Sequence, residues 1–227
     1  MRKIIVTGNS GKTLFSYFLA EQLSKNKKVV LISTDENKAM HRSLFPTGKK
    51  SKKSLARLLS DPVITDKDIY KNSHLLNKRL MLISNADNKE NYPDVTTINC
   101  AKLLMALEHI ADIVIVDTSK HLFDSFIKKA PDCISICVTT ADIRGYHYRL
   151  KNGNGTFNVL WQSSPYSVYQ DTIATFKEKP IELPYLKKLT SVYNGVNISD
   201  ISVSGKYAKA IKTIVKQMEE LEVKHDV

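Results

Sequence analysis

The stretch that decides the fold is RKIIVTGNSGKTLFSYFLAEQL, residues 2–23. Its first six residues, 2–7, include a short apolar run that predicts a buried strand. Apolar residues then recur at helical spacing, at Leu14, Phe15, Phe18, Leu19 and Leu23. Between these two elements lies TGNSGKT, residues 7–13, which holds two of the chain's 8 glycines. The order predicts a strand, a tight glycine-containing loop and a helix.

Outward from this unit, strand and helix patterns alternate along the chain. Residues 28–34, KVVLIST, predict a second strand that ends at Asp35, and a strand–helix–strand unit favours a parallel pair with a right-handed crossover. Further strands are predicted at 79–84, 110–117, 133–140, 157–162 and 180–184. Helices are predicted near 51–60 and at 96–110, 120–129, 167–178 and 206–222. We therefore predict an α/β fold, a doubly wound and mostly parallel sheet with helices on both faces.

The segments between these elements predict no division of the chain. Residues 37–75 are mostly polar and irregular, and RLKNGNGTF at 149–157 is typical of a turn-rich break. The helix over 96–110 is amphipathic, and its predicted core positions are Ile98, Leu103, Leu104, Leu107 and Ile110. No repeat or linker separates the elements, so we predict a single domain over 1–227.

The loop TGNSGKT has the residue types that a phosphate site needs. Gly8 and Gly11 let the backbone curl around anionic oxygens without a Cβ atom in the way. The helix that starts near Lys12 directs free N–H groups and its positive dipole end to the same place. Lys12 can bridge the outer phosphates, and the Thr13 hydroxyl can ligate Mg²⁺. We predict that ATP and Mg²⁺ are bound by Gly8, Asn9, Ser10, Gly11, Lys12, Thr13 and Leu14.

The standard motif G-x-x-x-x-G-K-[ST] is not fully met, because Val6 stands five residues before Gly11. The alternative is a tight turn with a chance GKT sequence. The position of the loop between a strand and a helix favours the phosphate site.

Acidic residues end two of the predicted strands. Asp117 closes the apolar run ADIVIVD, and a rigid strand can deliver its carboxylate beside the Thr13 hydroxyl to support Mg²⁺. Asp35 closes KVVLISTD and is the candidate that orients the attacking water, together with Lys12 as the other catalytic residue. Helix capping is the alternative for both acids, and it is the role that we predict for Asp142.

The chain is basic, with a formal net charge of +11 and a pI of about 9.4. This balance favours acidic partners such as nucleic acid, an anionic membrane face or an acidic protein. The densest run is PTGKKSKKSLARLL, residues 46–59, which we call the basic segment. Its candidates for nonspecific DNA contact are Lys49, Lys50, Lys52 and Lys53. Ordinary solvated surface is the alternative for these lysines.

Apolar runs in this chain are short. None approaches the roughly 20 residues that a membrane span needs, and the run IIV near the start is too short for the core of a signal peptide. We therefore expect a cytoplasmic protein with no membrane span.

Together these motifs resemble the ParA/MinD group of P-loop ATPases, which includes the pilus-localising TadZ and CpaE proteins. TGNSGKT is similar to the group's deviant phosphate loop, KGGxGKT. KVVLISTDEN is similar to its second motif, VLLIDxDPQ, with Asp35 on the second acid. ADIVIVDTS is similar to YDxVIVDTP, with Asp117 as the magnesium-side acid. The likeness continues through APDCISICVTTAD and the last helix, so it covers nearly the whole chain.

The resemblance implies ATP, Mg²⁺ and nucleotide-dependent association, with a homodimer as the associated form. It places the adenine pocket near Gln162 and Pro184. The chain departs from the group at three positions, because Thr7 replaces the signature lysine, Asn9 the second loop glycine and Ser33 the first acid of the second motif. TadZ-like members are similarly atypical. In the group, the signature lysine reaches the partner's nucleotide, so its loss puts ATP hydrolysis in question.

Three functions are compatible with these features. The first is a weak ATPase that positions or partitions a cargo, either DNA or a secretion, pilus or conjugation machine, through an adaptor or cargo protein. The second is a degenerate nucleotide-binding scaffold that does not hydrolyse ATP. The third is a P-loop kinase or ligase for a small molecule, although the 6 histidines are scattered and suggest no acceptor site.

Overall fold

A computed structural model describes residues 1–35, 39–86, 97–118, 133–153, 155–161, 173–201, 203 and 205–225. The strands are β1 Arg2–Gly8, β2 Val29–Ser33, β3 His74–Asn77, β4 Leu80–Ile83, β5 Ile113–Asp117, β6 Cys133–Thr140, β7 Phe157–Trp161 and β8 Ile181–Leu183. The helices are α1 Lys12–Leu23, α2 Met40–Leu44, α3 Leu55–Ser60, α4 Asp66–Asn72, α5 Thr97–Leu107, α6 Ile143–Asn152, α7 Thr190–Tyr193 and α8 Gly205–His225. Short 3₁₀ turns cover Lys187–Leu189 and Ile198–Asp200.

The strands form one 8-stranded sheet in the order β3-β4-β2-β5-β1-β6-β7-β8. Every neighbouring pair is parallel except β3 with β4. The chain leaves β1 toward one edge of the sheet, returns to β5 beside β1, and then continues to the other edge. The loops after β1, β2 and β5 therefore meet at the carboxyl edge of the sheet, where ligands bind in doubly wound folds.

Both faces of the sheet are buried. Along β1, Ile4 and Val6 point to one face, where they join the cluster formed with α1 and α8. Ile5 points to the other face and joins the cluster formed with α3, α4 and α5. The last helix, α8, buries Tyr207, Ile211, Ile214 and Met218. Because each central strand is covered on both sides, its sequence is a continuous apolar run, and the predicted fold class is confirmed.

Several predicted boundaries were wrong. The segment 37–75 holds α2, α4 and the start of the edge strand β3, which was missed because it has only 4 residues. The predicted break at 149–157 begins too early, because α6 continues to Asn152 and ends where the Gly153 N–H binds the Arg149 carbonyl. Residues 120–129 lie outside the described residues, and so does the first half of the helix predicted at 167–178.

Ile98 is not a core residue, contrary to the prediction. It is 63% exposed, while Cys100, Leu103, Leu104 and Leu107 of α5 are buried. At 3.6 residues per turn, Ile98 lies about 200° around the helix axis from Cys100, so the two cannot face the sheet together. Among the helices described, none is long and apolar enough to cross a lipid bilayer.

Candidate functional site

The loop between β1 and α1 is held in a shape that its two glycines make possible. Gly11 has a φ of 76°, in the left-handed region, and a Cβ atom there would lie 2.4 Å from the Trp161 ring. Gly8 packs against β6, where a Cβ atom would lie 1.9 Å from the Val138 carbonyl oxygen. Both glycines are therefore required by close approach of neighbouring groups.

The amino end of α1 opens directly from this loop. Gly11 is the N-cap residue, and neither a side-chain cap nor an acidic residue occupies the first turn. The first turn of a helix has N–H groups without intrahelical partners and carries a partial positive charge. The loop therefore presents an anion-attracting helix end at the carboxyl edge of the sheet.

Asp117 lies directly beside the loop, at the end of β5. The Thr13 hydroxyl donates a hydrogen bond of 2.9 Å to Asp117 Oδ2, and the Lys12 ammonium lies 3.5 Å from Oδ1. The carboxylate is 2% exposed, and Oδ1 lacks a hydrogen-bond partner among the described residues. The predicted site residues Lys12, Thr13 and Asp117 thus meet at one point, although Thr13 and Asp117 are 104 positions apart in the sequence.

Burial disfavours the ionised form of Asp117. Loss of hydration raises the pKa of this carboxyl, and the nearby Asp35 charge raises it further. Lys12 and the Thr13 hydroxyl oppose this effect and do not overcome it. The ionised form of Asp117 is therefore under-compensated in this arrangement, and a further cation beside Oδ1 would stabilise it.

A cavity of about 210 Å³ opens over the loop. It is lined by Asn9, Ser10, Gly11, Lys12, Thr13, Leu14, Ser33, Asp35, Met40, Ser43, Leu44 and Val192. Six of the seven predicted cofactor-binding residues are in this lining, and Gly8 lies behind it against β6. Asp35 also reaches the cavity, and its backbone carbonyl accepts a hydrogen bond from the Asn85 side chain.

Sequence reasoning missed the part of this cavity that comes from α2 and α7. Met40, Ser43 and Leu44 belong to α2, a helix of 5 residues whose pattern is too short to detect. It also missed Trp161, the chain's single tryptophan, which supports the loop from the end of β7. Of the predicted adenine-pocket residues, Gln162 lies outside the described residues, and Pro184 is not among those lining the cavity.

Asn9 ties the loop to the end of β6. Its amide nitrogen donates to Thr140 Oγ1 at 2.8 Å, and its amide oxygen accepts from the Thr140 backbone N–H at 3.0 Å. The Thr140 hydroxyl in turn donates to Asp142 Oδ1 at 2.6 Å. Asp142 caps α6 by accepting from the N–H groups of Arg144 and Gly145, as predicted.

The residues present fit a magnesium nucleotide. Thr13 and Asp117 offer one hydroxyl and one carboxylate, which are oxygen ligands of the kind that Mg²⁺ takes alongside phosphate oxygens and water. The described residues contain no group of three or more His, Cys, Asp or Glu side chains that could hold a metal without a nucleotide. The Asp117 carboxylate offers a negative charge for the metal, and the uncapped amino end of α1 offers a positive charge for the phosphates.

The basic segment lies at the same edge of the sheet as the loop. Its last five residues lie in α3, and the Leu55 N–H at the start of that helix donates to the carbonyl of Ser84, just after β4. Lys49, Lys50 and Lys52 are exposed. Lys53 is half-buried, and its ammonium donates to the Ser73 carbonyl, so it differs from the other three.

Solved structures share this architecture over nearly the full length of the chain. A ParA family ATPase from Chlorobium tepidum TLS superposes with a TM-score of 0.73 at 13% identity, covering 92% of this chain and 96% of that one. The chain has the fold of the ParA and MinD ATPases. MinD from Pyrococcus horikoshii OT3, complexed with Mg-ADP, superposes with a TM-score of 0.67 at 14% identity, covering 97% of this chain and 95% of that one.

A third structure with the ParA/MinD fold comes from Borrelia burgdorferi B31 and is described as a plasmid partition protein bound to AMPPNP. It gives a TM-score of 0.68 at 16% identity, covering 95% of this chain and 97% of that one. No protein-family model and no curated protein sequence matches the chain. At these identities the ParA/MinD comparison establishes the fold, and the residues of the loop carry the functional argument.

Proposed function

We propose that this chain is a ParA/MinD-like protein that binds ATP with Mg²⁺ in its phosphate loop and acts as a weak ATPase. Nucleotide-dependent association, as a homodimer or with an adaptor, would position or partition a cargo. The observation that carries the proposal is the buried Asp117 carboxylate held between Lys12 and Thr13 at the opening of α1. A structural ion pair alone would not place an uncapped helix end and two constrained glycines at the same point.

Each loop residue has a distinct part in nucleotide binding. The backbone N–H groups at the start of α1 would bind phosphate oxygens, and Lys12, which lies beside Asp117, would bind the outer phosphates. Thr13 and Asp117 would hold Mg²⁺, which would neutralise charge on the phosphates. Asp35 reaches the cavity from the end of β2 and orients the attacking water. Trp161 and Asn9 keep the loop in its binding shape from behind.

The cargo is proposed from surface charge and from the relatives. Lys49, Lys50 and Lys52 are exposed at the edge that carries the loop, so nucleotide-driven association there would bring basic surfaces together for nonspecific DNA. The Borrelia protein is a plasmid partition protein, and MinD from Aquifex aeolicus was solved in complex with MinC. A TadZ- or CpaE-like role in placing a pilus or secretion machine stays a prediction.

A nucleotide-binding scaffold without turnover is the second candidate. Two substitutions favour it: Thr7 stands at the end of β1 where the related ATPases have their signature lysine, and Ser33 lines the cavity where they have an acid. Both candidates require the same loop and differ only in hydrolysis. The kinase or ligase alternative receives no support from an acceptor site among the cavity-lining residues.

The test measures nucleotide binding and turnover separately. Because Trp161 packs against Gly11, its fluorescence reports occupancy of the loop. We expect Mg-ATP to change this fluorescence and to raise the melting temperature, and Lys12→Ala to remove both effects. Lys27→Ala, at an exposed lysine on the opposite edge, is the matched control and should keep them. Binding without phosphate release, with and without DNA, would select the scaffold, and absence of binding would refute both candidates.

A further inference from the structure

Two short helices wall the cavity over the phosphate loop. Met40, Ser43 and Leu44 line it from α2, and Val192 lines it from α7. Met40, Leu44 and Val192 are buried and belong to the same apolar cluster, and the two helices contact each other. α2 and α7 therefore meet at the cavity through apolar side chains.

Hydrogen bonds join the chain segments that follow these two helices. Asn197 Oδ1 accepts from the Thr47 hydroxyl at 2.8 Å and from the Thr47 N–H at 3.3 Å. Thr47 lies shortly after the end of α2, and Asn197 shortly after the end of α7. Asn197 is also the N-cap residue of the 3₁₀ turn Ile198–Asp200, but its side chain does not cap that turn. We call the two bonds between Thr47 and Asn197 the clasp.

The clasp acts on α2 because the segment 45–48 is folded back onto that helix. The Phe45 N–H binds the His41 carbonyl, and the Arg42 guanidinium donates to the Gly48 carbonyl, so α2 holds the chain on both sides of Thr47. The Gly48 N–H also binds the Phe45 carbonyl and closes a tight turn around Thr47. Because these groups are bonded to one another, α2 cannot move away from α7 while the clasp is formed.

The cavity is too small to enclose a nucleotide unless a wall moves. Its volume is about 210 Å³, whereas pockets that bury a small-molecule ligand have roughly 300–1,000 Å³. The loop cannot retreat, because Gly11 packs on the Trp161 ring and Gly8 on the Val138 carbonyl. Ser33, on a third side, ends a central strand of the sheet. The additional room must come from the walls that α2 and α7 form.

We propose that the clasp is an autoinhibitory contact, which holds α2 against α7 and has to open before a magnesium nucleotide binds. This inference rests on the proposed function and concerns the regulation of the same site. If only the open arrangement binds nucleotide, the observed affinity is reduced by the fraction of molecules that are open. Removing the clasp should then raise the association rate and the affinity and leave the dissociation rate unchanged. A contact that only stabilises the fold would not improve binding when it is lost.

Two variants weaken the clasp to different degrees. Asn197→Ala removes the acceptor of both bonds, and Thr47→Val removes only the hydroxyl donor. The Kd of the full chain for Mg-AMPPNP is measured by calorimetry, and the association and dissociation rates are followed by Trp161 fluorescence. We expect Asn197→Ala to bind roughly 3- to 10-fold more tightly, which corresponds to one or two hydrogen bonds near the surface. Thr47→Val should show a smaller gain.

Two control variants separate the clasp from general effects of substitution. Thr47→Ser keeps the hydroxyl and the N–H, so its affinity should equal that of the unaltered chain. Thr190→Val removes another exposed threonine hydroxyl, one that donates to the Lys187 carbonyl beside α7 and does not reach α2. It should also leave the affinity unchanged. In the unaltered chain, Mg-AMPPNP should shift the resonances of the Thr47 amide and the Asn197 side-chain amide, because the clasp opens.

The possible outcomes distinguish the clasp from the nucleotide site itself. The autoinhibitory role is overturned if Asn197→Ala binds Mg-AMPPNP no more tightly than the unaltered chain, or if Thr190→Val gives the same gain. It is also overturned if nucleotide binds while the Thr47 and Asn197 resonances stay in place. Binding that appears only in the clasp variants supports both proposals. Absence of binding in the unaltered chain and in every variant refutes the proposed function and the clasp's role with it.

Discussion

Gly11→Ala tests how tightly the phosphate loop is built onto the protein behind it. Alanine at a φ of 76° occupies the left-handed region, which costs roughly 1–2 kcal/mol. Its Cβ atom would also lie 2.4–2.7 Å from three atoms of the Trp161 ring, where normal contact requires at least 3.4 Å. The ring is 8% exposed and packs edge-on against Tyr207, so it has little room to move. Overpacking of this kind adds about 1–3 kcal/mol.

The matched control for Gly11→Ala is Gly195→Ala. Gly195 also has a positive φ, 93°, but a Cβ atom added there would meet nothing within 4 Å. Gly195→Ala therefore introduces the backbone strain of an alanine at positive φ without a steric clash at its Cβ atom. The difference between the two variants should be about 1–3 kcal/mol, or roughly 2–12 °C in melting temperature for a chain of this size.

The measurement is thermal and urea denaturation followed by circular dichroism, with and without Mg-ATP. Gly11→Ala should be the less stable variant and should lose the stabilisation by nucleotide. Gly195→Ala should keep it, at about 2.7 kcal/mol when the ligand concentration is one hundred times Kd. Equal destabilisation of the two variants, or full nucleotide stabilisation in Gly11→Ala, would refute the role given to the Gly11–Trp161 contact.

Three further predictions concern charge. Burial raises the pKa of Asp117, so its ionised form costs stability at pH values above that pKa. Asp117→Asn should therefore melt no lower than the unaltered chain and lose the magnesium-dependent part of ATP affinity, and a clear drop in melting temperature would contradict this reasoning. Partial burial raises the pKa of Asp142, but hydrogen bonds from Arg144, Thr140 and Gly145 and the Arg144 charge together lower it to about 2. The stability that ionised Asp142 contributes is present above the unfolded pKa of about 4 and is lost as the pH falls toward 2. The free energy of unfolding, taken from urea denaturation, should therefore fall more in the unaltered chain than in Asp142→Asn. The difference should be less than about 1 kcal/mol at this exposed pair. Replacing Lys49, Lys50 and Lys52 by glutamine should lower the slope of log K against log salt for DNA by about 2–3, whereas glutamines at Lys25, Lys27 and Lys28, on the opposite edge, should leave it unchanged.

Local patterns were sufficient to predict the central architecture. The buried parallel strands read as continuous apolar runs, and β1, α1, β2, β5 and β6 lie where the sequence predicted them. The partners Lys12, Thr13 and Asp117 were also predicted together, because parallel strands bring their carboxyl ends to one edge. Their placement beside one another fits this prediction, while their chemical roles await the experiments above.

The peripheral elements could not be predicted in the same way. The strand β3 and the helix α2 have only 4 and 5 residues, so each is too short for a periodic pattern of apolar residues to be recognised in the sequence. Ile98 was assigned to the core because an amphipathic pattern does not reveal which of two apolar rows faces the sheet. That choice depends on the rotation of α5 against the strands, which packing determines.

The sequence by itself determined the strand–loop–helix unit, the alternation of elements and the strand-end acids, because these depend on backbone propensity and on the spacing of apolar residues. The tertiary structure alone decided that Trp161 supports Gly11, that Thr140 links Asn9 to the α6 cap, and that Ile143 and Leu150 of α6 are exposed. These contacts join residues more than a hundred positions apart or depend on which side of a helix is covered. Such relations arise only when the sheet has assembled and its layers have packed.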